Sequence, residues 1–265
     1  MWKALPACGV ERLALRTDDG MFMVSTRDNM IAFKLFSQGR FDKPLVDKSC
    51  SMASNYLDRT ELIYLDVGAN IGTNTIYALR NPAFTGAVCF EPDEVNFSNL
   101  VQTVHMSGVA NQVRYVRTAL GNREGKASLA LSTVNFGDHH ILPGNGLEVG
   151  LVSVAVMTLD ASLTEEELER VGLVCVDVQG YEAQVLGGAT TLLGRDVPFL
   201  CELTPNQLRQ CDGYERFFEI AEQSFNFFID MREPDRQRRI GELRECAESL
   251  NAGGYTDVFM TKRAW

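Results

Sequence analysis

From Glu61 onward, short runs of continuous apolar residues alternate with longer stretches of helical or polar character. The runs are Leu62–Val67, Ala87–Phe90, Val113–Val116, Leu173–Val178, Pro198–Leu203, Phe225–Ile229 and Asp257–Met260. A strand with one wet face alternates apolar and polar residues, whereas a strand buried on both faces does not. Unbroken runs therefore predict a parallel sheet between two layers of helices. Strands separated by helices imply right-handed crossovers. The expected fold is α/β and doubly wound, with a mostly parallel seven-stranded sheet.

Two segments depart from this rhythm. Residues 1–60 precede the first core strand and hold alternating stretches at Met21–Val24 and Ile31–Phe33, with Asp28-Asn29 as a turn between them. They predict a β-hairpin and a helix, an extension packed on a main domain of residues 61–265. Ala127–Leu131 and Val152–Met157 read as an added pair of strands bracketing residues 135–150, a β insert after the third core strand. No internal repeat or low-complexity linker interrupts the chain.

Composition narrows the class. The 265 residues are 45% hydrophobic and 23% charged, ordinary for a globular protein with a sizeable core. The formal net charge of -10 leaves no basic footprint for phosphates, so no nucleic-acid partner is expected. The densest basic stretch, Arg232 to Arg244, is broken by Glu233, Asp235 and Glu242 and reads as a solvated face. Seven cysteines without a C-x-x-C pair suggest neither a zinc ribbon nor a disulfide framework. Cys89, Cys175 and Cys201 lie inside apolar runs, which suits a reducing cytoplasm. Met1 to Leu15 lacks the apolar centre of a signal peptide, and no run reaches membrane-spanning length. A soluble, cytoplasmic protein is expected, and a homodimer is compatible with these features.

The candidate chemistry starts where the first core strand ends. Asp66-Val67-Gly68-Ala69-Asn70-Ile71-Gly72 joins that strand to a helical stretch carrying Thr75. Glycines at a strand's carboxyl end let backbone approach a ligand closely. A dinucleotide fingerprint requires G-x-G-x-x-G, and Asn70 stands where its middle glycine belongs. Asp66, two residues before Gly68, can accept hydrogen bonds from an ammonium group or from waters near it. This pattern fits S-adenosyl-L-methionine, which has a cationic sulfonium and no phosphate, better than a nicotinamide dinucleotide. Nineteen residues after Gly72, the second strand ends at Glu91-Pro92, where a carboxylate can accept both ribose hydroxyls. Thr118-Ala119 follows the third strand, where an adenine ring could lie.

In this order the motifs resemble the FkbM family of S-adenosylmethionine-dependent methyltransferases. The likeness rests on Asp66–Gly72, Phe90-Glu91-Pro92-Asp93, Ala119-Leu120-Gly121, Thr158-Leu159-Asp160 and Val176-Asp177-Val178-Gln179-Gly180-Tyr181-Glu182. Val185-Leu186-Gly187-Gly188-Ala189 and the strand of Glu202 extend it, over roughly residues 20–205. The resemblance implies a class I fold and methyl transfer, usually to a hydroxyl of a small molecule or sugar. Two positions depart from the commoner family pattern. Cys175 stands where Lys is frequent, and Gln179 where Glu is frequent. Gly137-Asp138-His139-His140 matches a subgroup with this Val-Gln-Gly variant.

A hydroxyl is a poor nucleophile until its proton leaves, so a general base is expected. His139 and His140 in the insert are candidates, with Asp138 able to orient an imidazole. Asp177, at the end of the fourth core strand, could touch the cofactor, hold the acceptor or act as base; a helix N-cap is its structural alternative. Glu202 is a weaker acceptor-pocket candidate, and His105 reads as a surface residue. Asp177 and Glu202 could supply oxygen ligands to a divalent metal, but no spacing requires one. The rivals are a nicotinamide-dependent oxidoreductase, a methyltransferase for nitrogen or carboxylate acceptors, and a non-catalytic nucleoside-binding module.

Overall fold

The computed structural model describes residues 1–142, 151–251 and 253–264. Strands β1 (Arg12–Arg16) and β2 (Met21–Ser25) open the chain, followed by helices α1 (Ile31–Gln38) and α2 (Lys43–Leu57). The hairpin differs from the one expected. Met21–Val24 lies in a strand, but its antiparallel partner is Arg12–Arg16, and Ile31–Phe33 is helical. The Asp28 carboxylate explains the difference, accepting the Met30 and Ala32 amides at 2.9 Å each. It satisfies the free donors of a helix start instead of turning a hairpin. Ile31, Ala32 and Leu35 then share one buried helical face.

The core follows as β3 (Leu62–Val67), α3 (Thr73–Ala78), β4 (Phe84–Phe90), α4 (Glu94–Met106) and β5 (Val113–Val116). The insert region comprises β6 (Ala119–Leu120), β7 (Gly125–Ala130), β8 (His140–Ile141) and β9 (Val152–Met157). After α5 (Leu159–Ser162) and α6 (Glu165–Arg170) come β10 (Val171–Val176), α7 (Glu182–Gly187), α8 (Thr190–Gly194) and β11 (Phe199–Leu203). The chain finishes with α9 (Pro205–Gln210), α10 (Tyr214–Ser224), β12 (Phe227–Asp230), β13 (Gln237–Arg239), α11 (Leu243–Glu248) and β14 (Thr256–Thr261).

The main sheet runs β13-β12-β14-β11-β10-β3-β4-β5. From β11 to β5 neighbouring strands are parallel, and β14 is antiparallel to both β11 and β12. Seven of these strands correspond to the seven apolar runs. The eighth, β13, comes from the arginine-rich stretch, whose charges meet acids of this chain: Arg232 pairs with Asp230, Arg238 with Glu233 and Arg244 with Glu215. Every residue of β3 and β10 is buried, hence their unbroken apolarity. Pleating sends Ile63, Leu65 and Val67 toward one helix layer, and Leu62 and Tyr64 toward the other. That second layer contains α3, α4 and much of residues 1–60, including Phe22, Ile31, Val46 and Cys50.

A second sheet, β6-β9-β7-β8, holds the added strands, with β7 and β9 antiparallel as the alternation predicts. Part of the expected insert, residues 143–150, lies outside the described residues. No helix among the described residues is long and apolar enough to cross a membrane. Strand order reverses between β3 and β10, the kind of crevice where open α/β sheets take ligands.

Candidate active site

The turn after β3 is tied down on several sides. The Gly68 and Ala69 amides both donate to the Phe90 carbonyl at 3.0 Å, binding the turn to the end of β4. Gly68 has φ +86°, and a Cβ there would lie 1.9 Å from the carbonyl oxygen of Asp177. No other residue fits, because conformation and space both exclude a side chain. A Cβ at Gly72 would come within 2.6 Å of Leu100, so that glycine lets α3 and α4 close together. Asn70 is also left-handed, at φ 49°, a conformation asparagine adopts more readily than most residues. Its amide donates to Glu91 Oε2 at 2.9 Å and its Nδ2 to the Phe136 carbonyl at 2.8 Å.

Asp66 braces this turn from beneath. It is 1% exposed, and its Oδ2 accepts from the Thr75 hydroxyl at 2.5 Å, linking β3 to α3. Burial raises its carboxyl to about 6, with the Thr75 hydrogen bond opposing the rise and Asp177 adding to it. Asp66 thus holds the turn through Thr75 at the foot of the cleft. Asp66, Ala69, Gly72 and Thr75 support the cleft without lining it.

The cleft lies between the ends of β3, β4 and β10 and the insert. Gly68, Asn70, Glu91 and Pro92 form one side, with Thr118 and Ala119 beyond them. Glu91 is 5% exposed; its Oε1 accepts the Asp93 amide at 2.8 Å, while Oε2 holds that of Asn70. Burial pushes it up to about 8 against the pull of these amides. Asp93 caps α4 by accepting the Asn96 amide at 2.8 Å. Asn96 Nδ2 then joins Asn70 on the Phe136 carbonyl, at 3.0 Å, fastening the insert across the cleft.

His139 lines the cleft, and its ring lies 5.4 Å from that of Phe136. Its Nδ1 accepts the Ser132 amide at 3.0 Å. Burial favours the uncharged ring over the opposing influence of Asp93, Asp138 and Asp28. The neutral ring consequently carries its proton on Nε2, which can donate but has no lone pair for accepting a proton. His140 does not line the cleft; its Nδ1 lies 3.2 Å from the Asp138 carbonyl. His105 is exposed on α4.

Asp177 follows β10 and lines the opposite end of the cleft, its amide bonded to the Val67 carbonyl at 3.0 Å. Burial raises its carboxyl to about 6, against a hydrogen bond from Gln179 and with Asp42 adding to the rise. It does not cap a helix. The amides of Val178 and Gly180 go to Glu182 Oε1, at 3.1 Å each. Gln179 Nε2 donates to Asp177 Oδ1 at 2.6 Å and to Glu202 Oε2 at 3.0 Å. Asp257 stands opposite Glu202 on β14 and is pushed up to about 8 by burial and by Asp177. Among the described residues, no three His, Cys, Asp or Glu side chains gather into an arrangement that could hold a metal ion. Asn96, Phe136 and Gln207 carried no site signal in the sequence, because their relevance comes from neighbours distant in the chain, whereas Tyr181 stood in the Val176–Glu182 motif and Asp257 in the last apolar run without a role assigned to either.

Residues 66–238, well over half of the chain, match the methyltransferase FkbM domain. This match begins later and ends later than the 20–205 span of the motif resemblance. Among solved structures, the chain is similar to the methyltransferase FkbM of Methylobacillus flagellatus KT, at 14% identity and a TM-score of 0.48. That similarity covers 76% of this chain and 43% of the other, so this chain spans less than half the length of that relative. It is also similar to the O-methyltransferase TomG of Streptomyces achromogenes, involved in tomaymycin synthesis and solved with SAM. There the identity is 13% and the TM-score 0.45, over 84% of this chain and 80% of that one. A third is TYW2 of M. jannaschii in complex with AdoMet, at 12% identity and a TM-score of 0.46, over 96% and 87% of the two chains. No curated protein sequence matches the chain. Seven strands of the sheet have the class I methyltransferase plan, parallel except for β14, which is reversed between β11 and β12; the added edge strand β13 is antiparallel to β12. Because the match runs from the end of β3 through β10 and β11 to β13, across the strand ends that frame the cleft, the chain belongs to the FkbM family of methyltransferase domains.

Proposed function

We propose that this chain transfers a methyl group from S-adenosylmethionine to a hydroxyl oxygen of a small molecule or sugar. The observation that carries the reading is the junction of Gly68 with the Asp177 carbonyl, beside the Glu91 carboxylate on the next strand end. The donor set fits this cofactor. Each Glu91 oxygen holds one backbone amide, and in the ionised form each keeps a second lone pair for one ribose hydroxyl. With its carboxyl pushed up to about 8 by burial, cofactor binding near neutral pH is accompanied by loss of that proton. Phe90, Pro92, Ala119 and Leu120 offer apolar surface for an adenine ring. A pyrophosphate fits poorly, because the Asn70 amide is already engaged by Glu91 and Asp66 lies under the turn.

When bound, the cofactor supplies a methyl group already activated by its sulfonium, so the protein contributes placement and removal of a proton. Asp177 suits the second task. Near 6, its carboxyl stays ionised at neutral pH yet is a better base than an ordinary carboxylate. His139, with Nδ1 engaged, acts as a hydrogen-bond donor, and the base role passes to Asp177. The carboxylate of Asp177 can accept from the hydroxyls of a polyol, and the protonated carboxyls of Glu202 and Asp257 can both accept and donate.

Titration calorimetry with S-adenosylhomocysteine and NAD, followed by labelled methyl transfer to a panel of hydroxylated metabolites, tests the reading. Binding of S-adenosylhomocysteine and label on an ether oxygen are expected. Binding of NAD without S-adenosylhomocysteine would overturn it.

A further inference from the structure

We infer that Gln179 is a positioning residue of the acceptor site: its amide joins the Asp177 and Glu202 carboxylates and, through Gln207, connects them to Asp138 of the insert. The inference rests on the methyltransferase reading only in calling this end of the cleft the acceptor site. The bridge itself stands on geometry.

Asp177 and Glu202 follow paired positions on β10 and β11, since Val176 is in register with Cys201. Asp257 is the cross-strand partner of Glu202 on β14. Burial and repulsion from neighbouring acids raise Glu202 well above the usual carboxylate range and Asp257 to about 8, so these two hold protons near neutral pH. Asp177, near 6, is ionised and can only accept hydrogen bonds. Asp177 needs a donor, and the free oxygen of the Glu202 carboxyl can accept from the same one. Gln179 supplies one with both amide hydrogens used, one to each acid. Its carbonyl accepts from Gln207 Nε2 at 3.0 Å, and Gln207 Nε2 lies 3.5 Å from Asp138 Oδ1. The amide orientation follows, because only the nitrogen end can face two acids.

The backbone fixes this placement. Gln179 is left-handed at φ 54°, and a Cβ on Gly180 would lie 2.7 Å from the Gln207 carbonyl oxygen. The turn is pressed against the start of α9, leaving the Gln179 side chain a short path to the acids. A glutamate of the same shape could accept from Gln207 but could donate to neither acid without first binding a proton.

The groups acting on this site come from every element around it. They are Asp42 before α2, Asp66 on β3, Glu182 on α7, Glu202 on β11 and Asp257 on β14, with Tyr255 and Cys175 nearby. Lys34 acts on Asp42. In this acidic setting the Gln179 amide favours the ionised form of Asp177, and its removal lets Asp177 keep a proton to higher pH.

The test is a carboxyl-carbon NMR titration of the ligand-free protein and of its S-adenosylhomocysteine complex, with the Asp177 signal assigned by its loss in Asp177→Asn. Gln179→Gly keeps the left-handed backbone while removing the amide, and Gln179→Glu keeps the shape. In Gln179→Gly the Asp177 midpoint should rise by about one pH unit. In Gln179→Glu an additional carboxyl should titrate above its ordinary range. Asp177 midpoints unchanged in both variants would overturn the inference. Failure of the wild type to bind S-adenosylhomocysteine would instead count against the methyltransferase reading, and the ligand-free titration would still decide whether the bridge exists.

Discussion

Gly68→Ala is the sharpest perturbation of the cleft, because its penalty has two separable parts. The first is conformational: alanine at φ +86° sits in the left-handed region, at about 1–2 kcal/mol. The second is steric. The new Cβ would lie 1.9 Å from a backbone carbonyl oxygen, so β3 and β10 must separate by roughly 1.5 Å to restore ordinary contact at 3.4 Å. No flexible side chain can absorb that movement, and the 3.0 Å bond from the Asp177 amide to the Val67 carbonyl resists it. Forced overpacking of this kind costs about 1–3 kcal/mol. The total is therefore about 2–5 kcal/mol. Gly39→Ala is the control, since it carries φ +72° with nothing within 4 Å of its Cβ and isolates the first part. Urea unfolding of both variants should place Gly68→Ala below Gly39→Ala by at least about 1 kcal/mol. Calorimetry should show S-adenosylhomocysteine affinity falling at least about tenfold in Gly68→Ala, equivalent to about 1.4 kcal/mol. Equal destabilisation of the two variants, with cofactor affinity unchanged, would refute the close approach of the two strand ends.

Three further outcomes are expected. Glu91→Gln places an amide where two backbone amides already donate, so S-adenosylhomocysteine affinity should fall by about 1–3 kcal/mol in calorimetry; an unchanged Kd would remove Glu91 from the binding site. Asn70→Gly preserves the left-handed turn but frees the Phe136 carbonyl of one tether; amide exchange across residues 132–141 should quicken while the melting temperature changes little, and unaltered exchange would refute the tether. Stability of the ligand-free protein should fall as pH rises from about 5 to 8, because Asp66, Asp177, Glu182, Glu91 and Asp257 bind protons more tightly when folded than when unfolded. Each retained proton contributes about 1.4 kcal/mol per pH unit within its window. For Asp230, burial pushes upward but Arg232 and Thr256 more than offset it, so its contribution disappears only at lower pH. A melting temperature that rises between pH 5.5 and 8 would contradict this sign.

The sequence alone determined whatever depends on neighbours along the chain. Strands β3, β5 and β9 were legible to the residue at Leu62–Val67, Val113–Val116 and Val152–Met157, since burial of a short strand leaves a continuous or alternating apolar signature. The Asp66–Gly72 turn was legible for the same reason, as a strand, a glycine turn and a helix in immediate succession. Ile31–Phe33 shows the limit: three alternating residues fit a strand or a helix equally, and the Asp28 carboxylate, with a buried face reaching Leu35, chose the helix. Tertiary structure also decided which way the polar groups point. The pleat of β3 turned Asp66 toward Thr75 and away from the cleft, and the Ser132 amide left His139 a donor. Gln179, Glu202, Gln207 and Asp138 come from four separate parts of the chain, yet they form one connected network. No periodicity marks such a group. Periodicity reports burial of one element, while the order of β10 beside β11 and the fastening of the insert over the cleft decide which side chains meet.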